Sequence, residues 1–471
     1  MALMEPTTTV NTLNDSQTSN GTEFIDLHDL PFAFQSSEES QEDLVLIDEI
    51  GDSSSPKVNV VEDDDIQIIA EVKGNVNDHS ARKRKAPPVA LSSDSEIDPE
   101  EVQIVGVKRS RITVQSAADS TITQLLSAYR TKFPKKFLHF DQQIMRFFEK
   151  HVQNDVTYAW KMKARDQLQS CIRQVFPNAR LFAVGSTVNG CGSYDSDMDL
   201  CCVVSGYIHD GNLRSFGIRT LRKIRKHLFQ SYDQEIMNKC EFIQAKVPIL
   251  RIEFKDRFNT LQVDLNINNE AGIRNSHLLH YYSRVDDRFP ALCLLIKHWA
   301  KEHGIADAAI GFLNSYSLIL LCLHYLQAVV SPPILPNLQT LFPEQFSDFV
   351  ELNSTSLFLD LERRYPDPKL NTMSVGELLI GMFDYYSKFD FDNWAISVRK
   401  GRTFKRCELC SSTDRFCMFI EEPYDLNNTA RCVTDRENFD VIMETFRSAR
   451  RHFLGKKKPD LRSIVKEVMN K

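Results

Sequence analysis

The residues best suited to chemistry lie between positions 181 and 204, in LFAVGSTVNGCGSYDSDMDLCCVV. Asp197 and Asp199 are two residues apart, so both carboxylates leave the same face of an extended strand. Met198 and Leu200 leave the opposite face, which can be buried. Two adjacent carboxylates repel each other unless a cation lies between them. The pair therefore predicts half of a magnesium site.

A third acid is expected on a neighbouring strand. Residues 260–267, TLQVDLNI, alternate between apolar and polar side chains, and Asp264 is one of the polar ones. Three carboxylates on adjacent strands suit two-metal phosphoryl transfer, because they can bridge two divalent ions, Mg²⁺ or Mn²⁺, and deprotonate a hydroxyl group. In the turn before them, Gly185 allows close backbone approach, and Ser186 can hold phosphate oxygens.

The spacing of these residues makes the hypothesis specific. An isolated Asp-x-Asp pair is usually a solvated strand face. Here a Gly-Ser turn is followed after eleven residues by the acid pair, and later by a single acid on a third strand. This combination resembles the polymerase-β-type nucleotidyltransferases.

The composition limits the number of domains and the class of protein. The chain has 471 residues, a formal charge of −7 and 42% hydrophobic residues, enough for two folded domains plus unfolded segments. Nothing resembles a signal peptide or a membrane span, so we expect a soluble intracellular protein without a membrane partner. Eleven cysteines fit a reducing compartment. Cys407, Cys410, Cys417 and Cys432 could bind zinc, but plain loop cysteines fit their spacing better.

The first 120 residues are rich in Ser, Asp, Glu, Thr and Asn and predict a disordered acidic tail. Apolar patches at 44–47, 66–69 and 102–105 have acidic neighbours and resemble SUMO-interacting motifs, which would add as strands to a partner sheet. Chance apolar residues in an acidic tail explain them equally well.

Two basic clusters, at 82–85 and 108–111, resemble nuclear-import signals. Nonspecific RNA contacts or countercharge for the nearby acids explain them too. We expect a cytoplasmic protein that also enters the nucleus.

The remaining elements predict an α+β fold. Folded sequence is expected to begin near Phe137. Apolar residues at helical spacing predict helices at 138–153, 156–174, 213–231, 290–303, 315–330, 375–388 and 436–453. Strands at 248–254 and 260–267 complete a small mixed sheet with the strand pair around the acids.

Three groups of cations could bind phosphate groups or RNA, or could simply be solvated or interact with a helix dipole. Lys297 and Lys301 lie four residues apart on one helix face, where they could hold a triphosphate or simply be solvated. The helix at 213–231 has a basic face that could meet RNA or water: Arg219, Arg222, Lys223, Arg225 and Lys226. The helix at 436–453 ends in cations that suit the helix dipole or RNA: Arg447, Arg450, Arg451 and Lys456–Lys458.

Four segments together resemble a narrower family, the cytoplasmic poly(A) polymerases of the germline-development type, and less closely the terminal uridylyltransferases. The segments are 181–204, 263–283, 292–316 and 417–431, and the resemblance covers about 137–455. It implies two lobes, a polymerase-β-type nucleotidyltransferase domain with a mixed sheet and a helical PAP-associated central domain, with ATP and magnesium between them.

We expect a tail at 1–120, a linker and first helix packing on the central domain at 121–153, the catalytic domain at 154–270, the central domain with its nucleotide-recognition loop at 271–455, and a basic tail at 456–471.

The resemblance also implies individual roles. Asp197 and Asp199 would hold both metal ions, and Asp264 would hold the catalytic ion and help deprotonate the RNA 3′-hydroxyl. The nucleotide would contact Gly185, Ser186, Asn275, Lys297, Lys301, Ser315, Tyr316, Glu422, Asp425 and Arg431. Of these, Ser186, the two lysines and Ser315 would bind the triphosphate, Asn275 the ribose, and Tyr316 the base.

The choice of base depends on one short segment. Uridylyl-adding relatives carry a histidine after the recognition loop, whereas residues 427–431 here read NNTAR, with no histidine and one residue fewer. A site without that hydrogen-bond partner should lose its preference for uracil. We therefore predict addition of AMP from ATP to RNA 3′ ends.

Two alternatives remain at this stage, a terminal uridylyltransferase and a noncatalytic scaffold with the same fold. No RNA-binding module is visible beside the catalytic lobes, so we expect RNA-binding adaptor proteins to choose the mRNAs.

Overall fold

The computed structural model describes residues 134–205, 212–231, 237–255, 260–352 and 367–454, together with positions 124, 126–127, 130–132 and 361. The acidic tail with its apolar patches, both basic clusters of that tail and the basic residues after 454 lie outside the described residues.

A five-stranded mixed sheet carries the acids. Its strands are β1 Arg180–Val184, β2 Met198–Val203, β3 Met237–Ile243, β4 Ile249–Lys255 and β5 Thr260–Ile267. Their order is β1-β2-β5-β4-β3, and β2 and β5 are parallel while all other neighbours are antiparallel. This confirms the predicted mixed sheet. Sequence reasoning missed β3, because a strand paired on one side only keeps polar residues such as Lys239 and Glu241 exposed.

Helices form most of the remaining secondary structure of the described chain. They are α1 Pro134–His151, α2 Asp155–Arg173, α3 Leu213–Ser231, α4 Glu270–Val285, α5 Arg288–Glu302, α6 Ser315–His324, α7 Leu338–Leu341, α8 Pro343–Phe346, α9 Val375–Tyr386 and α10 Arg436–Leu454. The predicted run at 315–330 is divided, because a π-helical turn, Tyr325–Val329, follows α6. A capping box formed by Ser374 and Glu377 starts α9.

A second, three-stranded sheet lies among the later helices. It contains β6 Trp394–Ser397, β7 Arg402–Lys405 and β8 Ile420–Glu421, in the order β7-β6-β8. These strands have two to four residues, too few for an alternating pattern to be visible in the sequence.

The two faces of the five-stranded sheet pack against different apolar clusters. Met198, Leu200 and Val263 are fully buried on the face covered by α2 and α3, as the alternation predicts. On the other face Cys201 packs against Ile273 of α4. The acids leave this second face, which α4 covers only in part.

A larger core joins α1 to the later helices. Phe137, Phe140 and Ile144 of α1 are buried in it, and so is Leu126. Arg130 forms an ion pair of 3.3 Å with Glu377 of α9. The packed chain therefore begins before the predicted Phe137. The domain boundaries stay predictions.

Two further predictions concern membranes and cysteines. No helix in the described ranges is long and apolar enough to cross a bilayer. Cys407 and Cys410 are exposed, Cys417 and Cys432 are half-buried, and the preference for plain loop cysteines over zinc stays a prediction.

A buried histidine generates a prediction about stability. His324 hydrogen-bonds through Nδ1 to the Tyr386 hydroxyl (3.0 Å), which itself donates to the Leu321 carbonyl (2.8 Å). Because the Tyr386 proton is used on Leu321, Nδ1 of the imidazole carries a proton, and burial lowers the pKa of His324 from 6.5 to about 3, which keeps the ring neutral. Between these two values the unfolded chain binds the proton more readily, so the histidine lowers stability as pH falls from 6.5.

We expect His324→Leu to remove up to about 1.4 kcal/mol per pH unit of this dependence. The measurement is the melting temperature of both proteins between pH 7 and pH 5, with the exposed His139→Leu as matched control. Parallel curves for wild type and His324→Leu would contradict the assignment.

Candidate active site

Strand pairing places the predicted acids in one row. The parallel pairing of β2 with β5 puts Asp199 directly beside Asp264, and Val184 of β1 lies on the other side of Asp199. Asp197 comes immediately before β2. The sheet register therefore places two of the three predicted acids side by side, and the third comes at the start of the same strand.

Burial and neighbouring charges raise the proton affinity of two of these carboxylates. Burial first, and then the charges of Asp264 and Asp197, raise the pKa of Asp199 to about 7. Burial and then the charge of Asp264 also raise the pKa of Asp197. Oxygen donors whose negative charge is incompletely balanced fit a hard divalent cation such as Mg²⁺ or Mn²⁺.

Neighbouring side chains donate hydrogen bonds to two of the acids. Arg251 of β4 donates to both oxygens of Asp264, at 2.8 and 2.7 Å, and Gln262 donates to Asp197 at 2.7 Å. As placed, no three His, Cys, Asp or Glu side chains of the described chain form a group that could hold a metal ion. A metal ion held by Asp264 would therefore compete with the Arg251 guanidinium for these oxygens.

The Gly-Ser turn is built against the acids. Gly185 has a φ of +64°, and a Cβ there would lie 2.5 Å from the Oδ2 of Asp199, so only glycine fits. Its amide donates to the Ser276 hydroxyl of α4 at 2.7 Å, and that hydroxyl donates to the Gly272 carbonyl. The half-buried Ser186 follows in the same turn.

Sequence reasoning missed a buried lysine close to the acids. Lys161 of α2 is only 1% exposed, and its Nζ donates to Gln153 Oε1 (3.0 Å), the Ser196 carbonyl (2.7 Å) and Ser196 Oγ (3.1 Å). Burial lowers its pKa to about 8, against the opposing effect of the charges of Asp197 and Asp199. Lys161 fixes the residue immediately before Asp197.

Gln153, which accepts from Lys161, connects this lysine to the Gly-Ser turn. Its side-chain Nε2 donates to the Thr187 carbonyl (2.8 Å), and its backbone amide donates to the Gly192 carbonyl (3.0 Å). A signal was present in the sequence, because Lys161 occupies a position on the buried side of α2 together with Ala164, Leu168 and Ile172.

The two predicted phosphate lysines of α5 lie near the acids. Lys297 donates to the Cys191 carbonyl at 2.9 Å, and its charge lowers the pKa of Asp199, against the larger effect of burial. The charge of the exposed Lys301 acts in the same direction on Asp197. Both cations are therefore within electrostatic reach of the row of acids.

A second group of predicted residues meets at the other end of the site. The half-buried Tyr316 of α6 donates to Glu422 at 3.1 Å. Burial raises the pKa of Glu422 to about 7, against the opposing effects of the backbone amides of Asp425 and Tyr424 and of the Asn275 side chain of α4. Asn275 lies next to Ser276 in the sequence, so α4 runs beside both ends of the site.

Three predicted residues are not joined to these groups by their side chains. Ser315 and Asp425 are exposed, and the Asp425 carboxylate accepts from the Asn427 amide at 2.9 Å. Within the described ranges, no hydrogen bond links Ser315 or Arg431 to the other predicted site residues.

The arginines at the end of α10 have acidic partners within the protein. Arg450 binds the buried Asp384 at 2.7 Å, Arg451 binds Glu444 at 2.6 Å, and Arg447 lies 3.9 Å from the same glutamate. A role of this helix end in RNA binding stays a prediction.

Two family models match this chain, one over the five-stranded sheet and one later in the sequence. The model described as "Poly(A) RNA polymerase, mitochondrial-like, central palm domain" matches residues 140–284, and the one described as "Cid1 family poly A polymerase" matches residues 374–428. Poly(A) RNA polymerase GLD2 of Mus musculus is 38% identical over 349 residues, which cover 72% of this chain and 69% of the relative.

Solved structures agree with this match. The GLD-2/RNP-8 complex contains a chain with a TM-score of 0.61 and 36% identity, covering 69% of this chain and 96% of that one. A chain of the GLD-2–GLD-3 complex has a TM-score of 0.54 and 33% identity, and it also covers 69% of this chain and 96% of that one. A cytoplasmic RNA terminal U-transferase has a TM-score of 0.55 and 27% identity, covering 68% of this chain and 96% of that one.

The repulsion within the row of acids yields a prediction. Asp199→Asn removes one of three adjacent charges, so the protein without metal should melt about 2 °C higher or more. The stabilisation by Mg²⁺ should disappear in the same variant. Melting curves in EDTA and in Mg²⁺ test this, with the exposed Asp195→Asn as control. A lower melting temperature of Asp199→Asn in EDTA would show that repulsion is not the dominant effect.

The Lys161 contacts yield a second prediction. Lys161→Met removes the donor shared by Gln153 and Ser196, so amide exchange should accelerate both at 185–188 and at 192–197, two segments joined through this lysine. Hydrogen-exchange mass spectrometry measures the change, and the exposed Lys150→Met serves as control. Acceleration in only one segment, or equally across the chain, would exclude the proposed link.

Proposed function

The chain belongs to the GLD2-type poly(A) RNA polymerases, and on that premise we propose how its residues carry out the reaction. It is a nucleotidyltransferase that adds adenylate to RNA 3′ ends. The observation that carries the mechanistic proposal is the row formed by Asp199 and Asp264, with the Gly185 turn packed directly against it.

We propose that ATP binds along α4, with its phosphates at the Gly185 turn and its base near Tyr316. The backbone amides after Gly185, the Ser186 hydroxyl, and Lys297 and Lys301 would bind the β- and γ-phosphates. Asn275 would contact the ribose. Ser315, Asp425 and Arg431 stay predicted contacts of the nucleotide.

Asp197, Asp199 and Asp264 would hold Mg²⁺ or Mn²⁺ in the same cleft. A divalent ion bound there supplies charge neutralisation at the α-phosphate. Asp264, once released by Arg251, would accept the proton of the RNA 3′-hydroxyl at a carboxylate oxygen. The 3′-oxygen then bonds to the α-phosphorus as the bond to the bridging oxygen breaks, and pyrophosphate leaves. Lys161 and Gln153 would keep the turn and the acids at a fixed separation.

Selection of adenine would follow from the recognition loop. The Asn428 amide group is used within the protein, because Oδ1 accepts from the amides of Ile420 and Ala430 and Nδ2 donates to the Met418 carbonyl. Residues 427–431 contain no histidine to bind uracil. The greater identity to GLD2 polymerases than to the U-transferase also disfavours a uridylyltransferase.

We further propose that RNA-binding adaptor proteins select the mRNAs. Two of the similar solved structures are complexes of GLD-2 with a second protein. The net charge of −7 disfavours tight nonspecific binding of RNA. A cytoplasmic location that extends to the nucleus is part of the same proposal, and SUMO binding by the tail stays a prediction.

The test is primer extension on a labelled oligo(A) RNA in Mg²⁺, with each NTP offered separately. We expect extension with ATP, stimulation by an added RNA-binding partner, and a reduction of at least a thousandfold in Asp197→Ala. Asp195→Ala, on the same loop, is the matched control and should stay active. Efficient extension with UTP would contradict the base assignment, and no extension even with a partner would favour the scaffold.

A further inference from the structure

The outer face of α3 is unusual in its composition. The helix has nineteen residues, of which six are Lys or Arg and none is Asp or Glu. Its inner side packs Leu221, Ile224 and Leu228 into the core of the sheet. The six cations are exposed on the other side: Arg214, Arg219, Arg222, Lys223, Arg225 and Lys226.

These cations repel one another. Arg219, Lys223 and Lys226 follow at intervals of four and three residues, which places them in one line along the helix. Among the ion pairs of the described chain, none joins a cation of α3 to a carboxylate, whereas Arg451 of α10 pairs with Glu444. A line of like charges without partners destabilises a helix unless an external anion compensates for it.

Aromatic rings accompany the cations. The Arg225 guanidinium lies 5.2 Å from the centre of the Phe229 ring, which is 53% exposed, and Arg222 lies 5.9 Å from the Phe242 ring. Cations that follow a phosphate backbone, together with an accessible ring for a base, are the features of surfaces that bind single-stranded nucleic acid.

We propose that the outer face of α3 binds the backbone of single-stranded RNA upstream of the 3′ end. The helix packs on the sheet face opposite the acids, so it cannot contact the reacting nucleotide. RNA long enough to pass around the lobe would reach it, and a short primer would not. This inference rests on the proposed function, since it assigns a second contact to the same substrate.

The acidic tail of the chain is the rival occupant. Residues 1–120 have a net charge of −15, which leaves +8 for the remainder of the chain. The exposed Phe229 favours RNA, because every base can stack on a ring, whereas the tail contains few aromatic residues.

The test compares two triple variants of the full chain. Arg219→Gln, Lys223→Gln and Lys226→Gln remove the line on α3. Arg436→Gln, Arg447→Gln and Arg451→Gln remove three exposed cations of α10 that already have acid partners. Binding of an RNA of about 30 nucleotides is measured by fluorescence anisotropy without ATP or Mg²⁺, so the result does not depend on catalysis.

The α3 variant should bind the long RNA about three- to tenfold more weakly, and the log–log slope of its salt dependence should fall by about 0.7 for each phosphate that is no longer neutralised. Its extension of a hexanucleotide primer should be unchanged, and the α10 variant should match wild type in both assays. Melting curves establish that both variants fold.

Crosslinking of a 4-thiouridine-labelled RNA to the wild-type protein completes the test. Crosslinks to α3 support the proposal. Unchanged affinity of the α3 variant, or an equal weakening in both variants, would overturn it. Protein crosslinks between α3 and residues 1–120 that persist with RNA bound would assign the surface to the tail instead.

Discussion

The active site depends on one electrostatic constraint, the placement of Asp199 and Asp264 side by side by the pairing of parallel strands. Strand register keeps the Cα atoms of these two residues next to each other, so the repulsion of their carboxylates must be offset by nearby cations. The charges of Lys161 and Lys297 lower the pKa of Asp199, and Arg251 binds Asp264. The positions of these cations are best understood as responses to the row of acids.

A single helix relates this charged end to the end that would recognise the base. On α4, Ser276 accepts from the amide of Gly185, and the preceding Asn275 lies close enough to Glu422, from the later part of the chain, to lower the pKa of that carboxyl. Adjacent residues of one helix therefore lie beside the Gly185 turn and beside the loop that contains Glu422. In the proposed complex with ATP, α4 would thus set the spacing between the two ends of the nucleotide.

Much of this could be predicted from the sequence, and the exceptions have physical reasons. Helix α3 and strand β5 begin and end where their apolar periodicity predicts, and Asp199 and Asp264 lie on neighbouring strands as expected. Strand β3 was missed because an edge strand keeps polar residues, and β6–β8 because they are too short to show a pattern. The pairing of Arg251 with Asp264 was missed because it depends on the register of β4 with β5, which no local pattern specifies.

The bond between Arg251 and Asp264 makes the arginine an internal counterion. This pair neutralises one of two adjacent carboxylates, so it reduces the repulsion within the row of acids. A divalent ion that binds Asp264 would compete with the guanidinium for the same two oxygens. The metal affinity of the site would then be set in part by an arginine that is not itself a metal ligand.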